Sequence, residues 1–156
     1  AVSDGSEEAL HNMARASHSA GRAINITKTT APHAVSYPMT SYFGITHGHA
    51  VGLLTARFLQ YNVGVTKEDC LDMRGPDFVI CRMQEIASML TTDNSGCAAG
   101  ALTEKLKVLG LETRFEDLVI MNEQAINIIM SHGFNPERVG NNPRSIDETS
   151  LKKLIT

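Results

Sequence analysis

One pattern runs through the whole 156-residue chain: apolar residues recur three or four positions apart, in segments separated by turn residues. This spacing places apolar side chains on one face of an α-helix. No convincing stretch of five or more residues alternates between apolar and polar side chains, as a half-buried strand would. The sequence therefore predicts an all-α fold, an array of about six to eight helices.

Breaking and capping residues divide this pattern into helical segments. The predicted helices cover residues 6–27, 32–42, 47–61, 76–90, 98–109, 115–132 and 149–155. Pro38 predicts a kink or an early end in the second of them. The run Ser145-Ile146-Asp147-Glu148 predicts the cap of the last helix, and 91–96 is predicted to be a polar loop.

Length, charge and cysteine content narrow the class of protein. We expect residues 1–156 to form a single domain, because this length is that of one ordinary domain. A net charge of −3 argues against general nucleic-acid binding, which needs a basic face. No apolar run approaches the roughly 18 residues of a membrane helix, so we expect no membrane partner. The odd count of three cysteines, without a CxxC motif, predicts reduced thiols and a cytoplasmic location.

Chemically active residues are densest between Lys28 and His49. Three of the six histidines, His33, His47 and His49, lie in this segment. Imidazole is the commonest metal ligand and titrates near neutral pH. His33 and His47 stand near the starts of two successive predicted helices, and a turn between them can bring both rings together. His47 and His49 lie about 200° apart on a helix, so one is a candidate ligand and the other a proton relay or a group behind the ligand.

Two histidines do not complete a metal site, because Zn²⁺ or Fe²⁺ takes one or two further protein ligands, commonly a carboxylate. Glu7 and His11, four positions apart on the first predicted helix, are a candidate chelating pair. The residues alone leave two interpretations open. Either His33 and His47 bind a metal, or they cap helices and form hydrogen bonds in the core.

The segment AGRAINITKTTAPHAVSYPMTSYFGITHGHAVGLL resembles the iron-containing (group III) alcohol dehydrogenase family. The resemblance is strongest to the phosphonoacetaldehyde-reductase-like members of that family. In that family one metal-binding histidine precedes a second, which stands in an HG motif, by fourteen positions. His33 and His47 have this spacing, and Gly48 follows His47. The likeness continues more weakly to Asn141-Asn142-Pro143-Arg144, so it covers nearly the whole chain.

The resemblance implies the multi-helix C-terminal domain of the dehydroquinate synthase-like fold. In the family, an N-terminal Rossmann-like domain binds NAD(P), and the C-terminal domain binds a divalent metal, usually Fe²⁺ or Zn²⁺. The metal acts as a Lewis acid on the substrate oxygen while hydride passes to or from the nicotinamide. Carried over by position, His33 and His47 are the metal ligands here. The implied substrate is a small alcohol or aldehyde.

The chain departs from the family pattern in the rest of the site. The family's other two ligands are an Asp and a His one helical turn apart, several tens of residues upstream, and this sequence contains no Asp-x-x-x-His pair. It contains no glycine-rich dinucleotide loop either. We therefore expect a C-terminal piece of a longer enzyme that is inactive without its N-terminal domain. Its small-residue first helix should leave an exposed apolar surface, which favours homo-oligomers.

Further residues are candidates beside this resemblance. Many family members carry another histidine four positions after the first ligand, near the nicotinamide, where this chain has Tyr37. Tyr37 is a candidate proton donor, and His49 is a spare imidazole that can compensate for the lost histidine. Lys28 and Ser36 are candidates for binding substrate, and Lys28, which precedes His33 by about one turn, suits an anionic tail such as a phosphonate.

Two other functions stay open. One is a helical interaction or regulatory module without catalysis, which the incomplete ligand set favours. The other is a metal-dependent hydrolase whose site is completed by Glu7 and His11. The hydrolase predicts one metal ion bound by this chain alone, whereas the dehydrogenase predicts weak or absent metal binding until the upstream ligands are supplied.

Overall fold

The computed structural model describes residues 5–90, 98–118 and 122–156. Within these ranges it contains helices and no strands, which confirms the all-α prediction. The helices are α1 Glu7–Thr27, α2 Ala31–Phe43, α3 His47–Val63, α4 Pro76–Leu90, α5 Ala98–Val108, α6 Glu123–Gly133, α7 Pro136–Val139 and α8 Glu148–Ile155, with a 3₁₀-helix at Phe115–Asp117.

The core forms where α2 packs between α3 and α6. Its largest fully buried apolar side chains include Met39, Leu54, Phe58 and Ile129. Gly133 lets α6 approach α2 closely, because a Cβ there would lie only 3.1 Å from the Cα of Val35. Helices α4 and α5 pack on α3, while α8 contacts α3 and α6. This arrangement fixes the start of α2 against the start of α3, where the histidines lie.

One predicted helix was wrong in extent, while two others lie close to their predicted positions. The helix predicted over 32–42 is α2, which runs to Phe43 without an early end at Pro38, and Gly44 ends it in a left-handed conformation with φ 68°. The helix predicted over 115–132 is divided into the 3₁₀-helix and α6, whose cap is Asn122. The last helix, predicted over 149–155, begins at Glu148, and its cap is Asp147 of the predicted capping run, whose side chain accepts from the backbone N–H of Ser150. The predicted loop at 91–96 lies outside the described residues.

Helix α1 carries no buried residue along its 21-residue length. Its apolar side chains Leu10, Met13 and Ile24 are each about half exposed. Its end is linked to the segment after α7, since the Asn141 amide donates to the carbonyl oxygens that flank Lys28, those of Thr27 and Thr29. An exposed apolar surface on the first helix is therefore present, as expected.

Arg144 is the centre of a closed polar cluster at the far end of α3. Its Nε donates to Asp69 at 2.7 Å, and its Nη1 donates to the carbonyl oxygen of Tyr61 at 2.7 Å. Its guanidinium lies over the Tyr61 ring, 4.2 Å from the ring centroid. Beside it, the buried amides of Asn62 and Asn142 donate to each other's oxygens at 3.3 and 2.9 Å. We call these five residues the Arg144 cluster.

Two of the three cysteines lie in the described ranges, and both, Cys70 and Cys81, are free thiols. This agrees with the expectation of reduced cysteines for these two residues, while Cys97 lies outside the described ranges. None of the helices found in those ranges combines the length and the apolar character needed to cross a membrane.

Candidate functional site

His33 and His47 meet at the junction of α2 and α3. Their ring centroids lie 5.6 Å apart, with the ring planes inclined by 62°. Two imidazoles that share one metal ion must come this close, because each nitrogen lies about 2.0–2.1 Å from the metal. His47 is an exposed residue and His33 is half-buried, so the pair opens to the surface. The structure thus brings together the two residues that the sequence singled out as a pair.

Local sequence explains why these rings converge. Pro32 stands in the first turn of α2, where its fixed φ suits a helix start. The left-handed Gly44 then ends α2, and His47 begins α3 three residues later. Helices α2 and α3 pack on each other, and their first turns lie close enough for the rings of His33 and His47 to meet.

Ser36 lies behind the pair and is completely buried. Its hydroxyl donates to the backbone carbonyl of His33 at 2.8 Å, and its oxygen lies 3.4 Å from Nδ1 of His47. Since the hydroxyl hydrogen is used on the carbonyl, the oxygen is left to accept a hydrogen from Nδ1–H of His47. This leaves the lone pair of His47 on Nε2, the atom free for a ligand. Burial places Ser36 to orient His47 rather than to contact a substrate.

The electrostatic surroundings favour a neutral His33. Burial lowers the pKa of this imidazole below 6.5, and the neighbouring His47 and the charge of Arg138 lower it further. A neutral imidazole has a free lone pair, which is the form that binds a metal. The half-buried position of His33 therefore suits a ligand better than a proton carrier.

Tyr37 covers the open side of the pair. Its ring stacks on His47 with centroids 5.6 Å apart and planes inclined by 23°, and 44% of the residue is exposed. The guanidinium of Arg138, on α7, lies 4.8 Å from the centroid of the same ring. The candidate proton donor and the candidate ligands thus share one patch of surface.

His49 does not join this patch. It is buried, and its Nε2 donates to the backbone carbonyl of Glu112 at 2.7 Å, which ties α3 to the segment after α5. One ring nitrogen is therefore occupied by a contact within the fold. The 200° separation from His47 on the helix explains why the two rings have different surroundings.

Lys28 lies at the rim of the same patch. It follows α1 and adopts φ 60°, a value that residues with side chains rarely adopt. It lines a cavity of about 510 Å³ together with Tyr37, Arg138 and Asn141. Sequence reasoning did not single out Arg138, because it stands 105 positions after His33 and no local motif surrounds it.

The pair lacks further ligands from the part of the chain that the structure describes. In 5–90, 98–118 and 122–156, no group of three or more His, Cys, Asp or Glu side chains forms a site that holds a metal ion. Glu7 and His11 stand on the exposed helix α1 and are not part of any such group. The donor set fits half of an iron or zinc site.

Comparisons with known proteins agree with this description. The family model for the Fe-containing alcohol dehydrogenase family, C-terminal, matches residues 1–156. A phosphonoacetaldehyde reductase from Streptomyces viridochromogenes is 33% identical over 156 residues, covering 99% of this chain and 38% of the relative. The solved sulfoacetaldehyde reductase from Bifidobacterium kashiwanohense, in complex with NAD⁺, matches with a TM-score of 0.62 and 29% identity, over 82% of this chain and 30% of that one. The chain therefore spans less than two fifths of either relative.

Proposed function

Because the chain belongs to the Fe-containing alcohol dehydrogenase family, we propose that it supplies the metal-binding helical domain of an NAD(P)-linked reductase of small aldehydes. The observation that carries the proposal is the convergence of His33 and His47, 5.6 Å apart on two successive helices. Both named relatives are aldehyde reductases, and the solved one was crystallised with NAD⁺. In this proposal residues 1–156 act as one domain and are inactive alone.

His33 and His47 would hold the metal in this enzyme. Imidazole nitrogen suits both Fe²⁺ and Zn²⁺, and the family favours Fe²⁺ as the first choice. When bound, the ion would polarise the substrate carbonyl as a Lewis acid, and NAD(P)H would provide the hydride. The remaining ligands and the cofactor-binding domain would come from a partner part of the protein that these 156 residues do not include.

Ser36 would keep His47 ready for this role. The hydrogen bond from Nδ1–H to the Ser36 oxygen holds the ring in the tautomer that exposes Nε2. Metal-binding histidines usually donate their other ring N–H to such a partner, which fixes the ring and raises its basicity. We therefore replace the substrate-binding role expected for Ser36 by a positioning role.

Tyr37 would donate the proton. Its half-exposed ring stacks on His47, and the residue also lines the open cavity. As a carbonyl is reduced, its oxygen gains negative charge, and a neighbouring phenol can supply a hydrogen bond and then a proton. Our proposal gives His49 a structural role only, since its Nε2–H already has a partner in the Glu112 carbonyl.

The substrate would be a small aldehyde with an anionic group. Lys28 supports this, because it lines the cavity beside Tyr37 and carries a positive charge. The two relatives are named for a phosphonate-bearing and a sulfonate-bearing aldehyde. We further predict a cytoplasmic homo-oligomer that neither enters a membrane nor binds nucleic acid.

Metal content tests the proposal on the full-length protein that joins this chain to a cofactor-binding domain. After loading with Fe²⁺ or Zn²⁺ and desalting, we expect about one ion per chain by elemental mass spectrometry, lost in His33→Ala and in His47→Ala. His18→Ala is the matched control, because His18 is exposed on α1. Full metal retention in His33→Ala would refute the assignment. One ion retained by residues 1–156 alone would instead favour the hydrolase, and absence of reductase activity in the metal-loaded protein would favour the interaction module.

A further inference from the structure

A cavity of about 510 Å³ opens beside Tyr37, whose ring stacks on His47. Its polar lining consists of Lys28, Thr29, Tyr37, Glu137, Arg138 and Asn141. Two of these side chains are cations and one is an anion, so the cavity carries a positive balance. A cavity with this balance suits a small anionic molecule.

The guanidinium of Arg138 is available to such a molecule. It rests over the Tyr37 ring at 4.8 Å, a contact that engages its face. Within the described ranges, no carboxylate lies within ion-pair distance of Arg138 or Lys28, and the guanidinium N–H groups of Arg138 donate to no protein acceptor, while its backbone N–H donates to the Asn135 carbonyl. An arginine with its face stacked and its N–H edge open is well prepared to bind an oxyanion through two parallel hydrogen bonds.

We propose that Arg138 is the residue that selects anionic aldehydes, binding the phosphonate or sulfonate group through its guanidinium edge while Lys28 adds a second positive charge. The proposal rests on the reductase function proposed above and names the side chain that determines its substrate class. The ring of Tyr37 links the proposed anion site to the histidine pair, because it contacts both Arg138 and His47. The anionic group would be held at Arg138 while the carbonyl lies near the histidines.

Glu137 opposes the binding of an anion in this cavity. Its carboxylate lines the same cavity and repels an anion, yet it forms no ion pair with Arg138 or Lys28 in the described part of the chain. Two cations against one carboxylate leave a net attraction, which salt should weaken. A phosphonate, which carries between one and two negative charges at neutral pH, should therefore bind more tightly than a sulfonate, which carries one.

Steady-state kinetics of the full-length metal-loaded protein test the inference. The substrates are phosphonoacetaldehyde, sulfoacetaldehyde and uncharged propionaldehyde, and the variants are Arg138→Gln and Arg138→Lys. For Arg138→Gln we expect KM for the anionic aldehydes to rise at least tenfold, with kcat within threefold. The factor by which KM rises for the anionic aldehydes should be at least five times the factor for propionaldehyde. Arg138→Lys should raise KM for the anionic aldehydes less than Arg138→Gln does. The matched control is Arg82→Gln, since Arg82 is an exposed arginine that also lies over an aromatic ring, that of Phe78 at 5.2 Å.

Direct binding separates this inference from the proposed function. Calorimetric titration with methylphosphonate and methanesulfonate should give at least tenfold weaker binding in Arg138→Gln, and the stronger of the two ligands identifies the preferred group. Unchanged KM and unchanged binding in an active Arg138→Gln enzyme would overturn the inference, as would an equal loss on all three aldehydes. If the wild-type protein reduces none of the aldehydes, the proposed function fails. A loss of methylphosphonate binding in Arg138→Gln would still support the anion site in that case.

Discussion

Arg138 and Arg144 each lie over a tyrosine ring, at 4.8 and 4.2 Å, but the two arginines differ in what else they contact. Arg144 donates to Asp69 and to the carbonyl of Tyr61, so its edge is occupied within the fold. Arg138 has its ring contact and an open cavity in front of it. The same pairing of residue types therefore serves stability in one region and is free for a ligand in the other.

Polar residues that stabilise the fold therefore differ from polar residues available to a ligand in whether the chain itself supplies their partners. In the Arg144 cluster the polar atoms described above have partners from the chain itself. Around His33 and His47 the structure shows one hydrogen bond between side chains, from His47 to Ser36, and no third metal-binding side chain among the described residues. Polar groups held without protein partners at a surface cavity are more often there for a ligand than for stability. Four predictions test whether the Arg144 cluster stabilises the fold while the region around His33, His47 and Arg138 serves a ligand.

The largest effect is expected inside the Arg144 cluster. Asn142 is 2% exposed and exchanges hydrogen bonds with the buried Asn62, while it also donates to the Arg144 carbonyl at 2.7 Å. Asn142→Ala leaves these buried groups unpaired, which should lower the free energy of unfolding by about 3 kcal/mol. Urea denaturation measures the loss, and Asn127→Ala, at an exposed position of α6, should change stability by less than about 0.5 kcal/mol. A loss as small as that of the control would show that the amide pair does not hold the fold.

The comparison itself is tested by the same substitution at both arginines. Arg144→Gln removes two charge-assisted hydrogen bonds from a partly exposed site, so we expect about 2 kcal/mol of destabilisation. Arg138→Gln removes only an exposed cation–π contact and should cost about 0.5 kcal/mol. Denaturation of the two variants under one condition gives the difference. Equal losses would mean that Arg138 also serves the fold, and the distinction between the regions would fail.

The helices were largely predictable because their signals are local. Three- and four-residue spacing is read within one segment, and α1, α3 and α4 begin within a residue of the expected position. The early end named at Pro38 does not occur, because the effect of this proline depends on tertiary contact. Its buried ring packs near Gly133 of α6, and the packing of α2 offsets the hydrogen bond that the proline removes.

The site was only partly predictable. The spacing of His33 and His47 was sufficient to single them out, since both stand on neighbouring helices. The burial of Ser36 and of His49 could not be predicted, because it depends on tertiary contacts. For His49, one of these contacts is a backbone carbonyl 63 positions away in the sequence. Arg138 was missed for the same reason. Only the folded chain places α7 beside Tyr37.

A smaller effect is expected at Ser36, on the ligand side of the comparison. Ser36→Ala removes the acceptor for Nδ1–H of His47 and frees the ring to adopt the other tautomer. Loss of such a supporting hydrogen bond weakens metal binding by about 10–100-fold, and the 3.4 Å contact argues for about tenfold. Competition titration of Zn²⁺ on the full-length protein gives the affinity, with Ser41→Ala, exposed on the same helix, as control. Unchanged affinity in Ser36→Ala would remove its positioning role.

The smallest effect is the contribution of Asp69, in the Arg144 cluster, to the pH dependence of stability. The pKa of the Asp69 carboxyl lies below its ordinary 3.8, mainly because the backbone N–H of Thr66 donates to it, with a further contribution from Arg144. A carboxyl whose pKa is lower in the folded state stabilises the fold above its unfolded pKa and ceases to do so as the pH falls through the folded value. The unfolding free energy of the wild type should therefore fall more steeply below about pH 4 than that of Asp69→Asn.

Acid titration of the unfolding midpoint measures this slope, and Asp117→Asn, at an exposed position, provides the matched loss of one carboxylate. We expect the Asp117→Asn profile to follow the wild type and the Asp69→Asn profile to be flatter. If all three profiles coincide, the ion pair between Asp69 and Arg144 adds nothing to stability. Arg144 would then be held by the Tyr61 carbonyl and ring alone, and its difference from Arg138 would be reduced to one hydrogen bond.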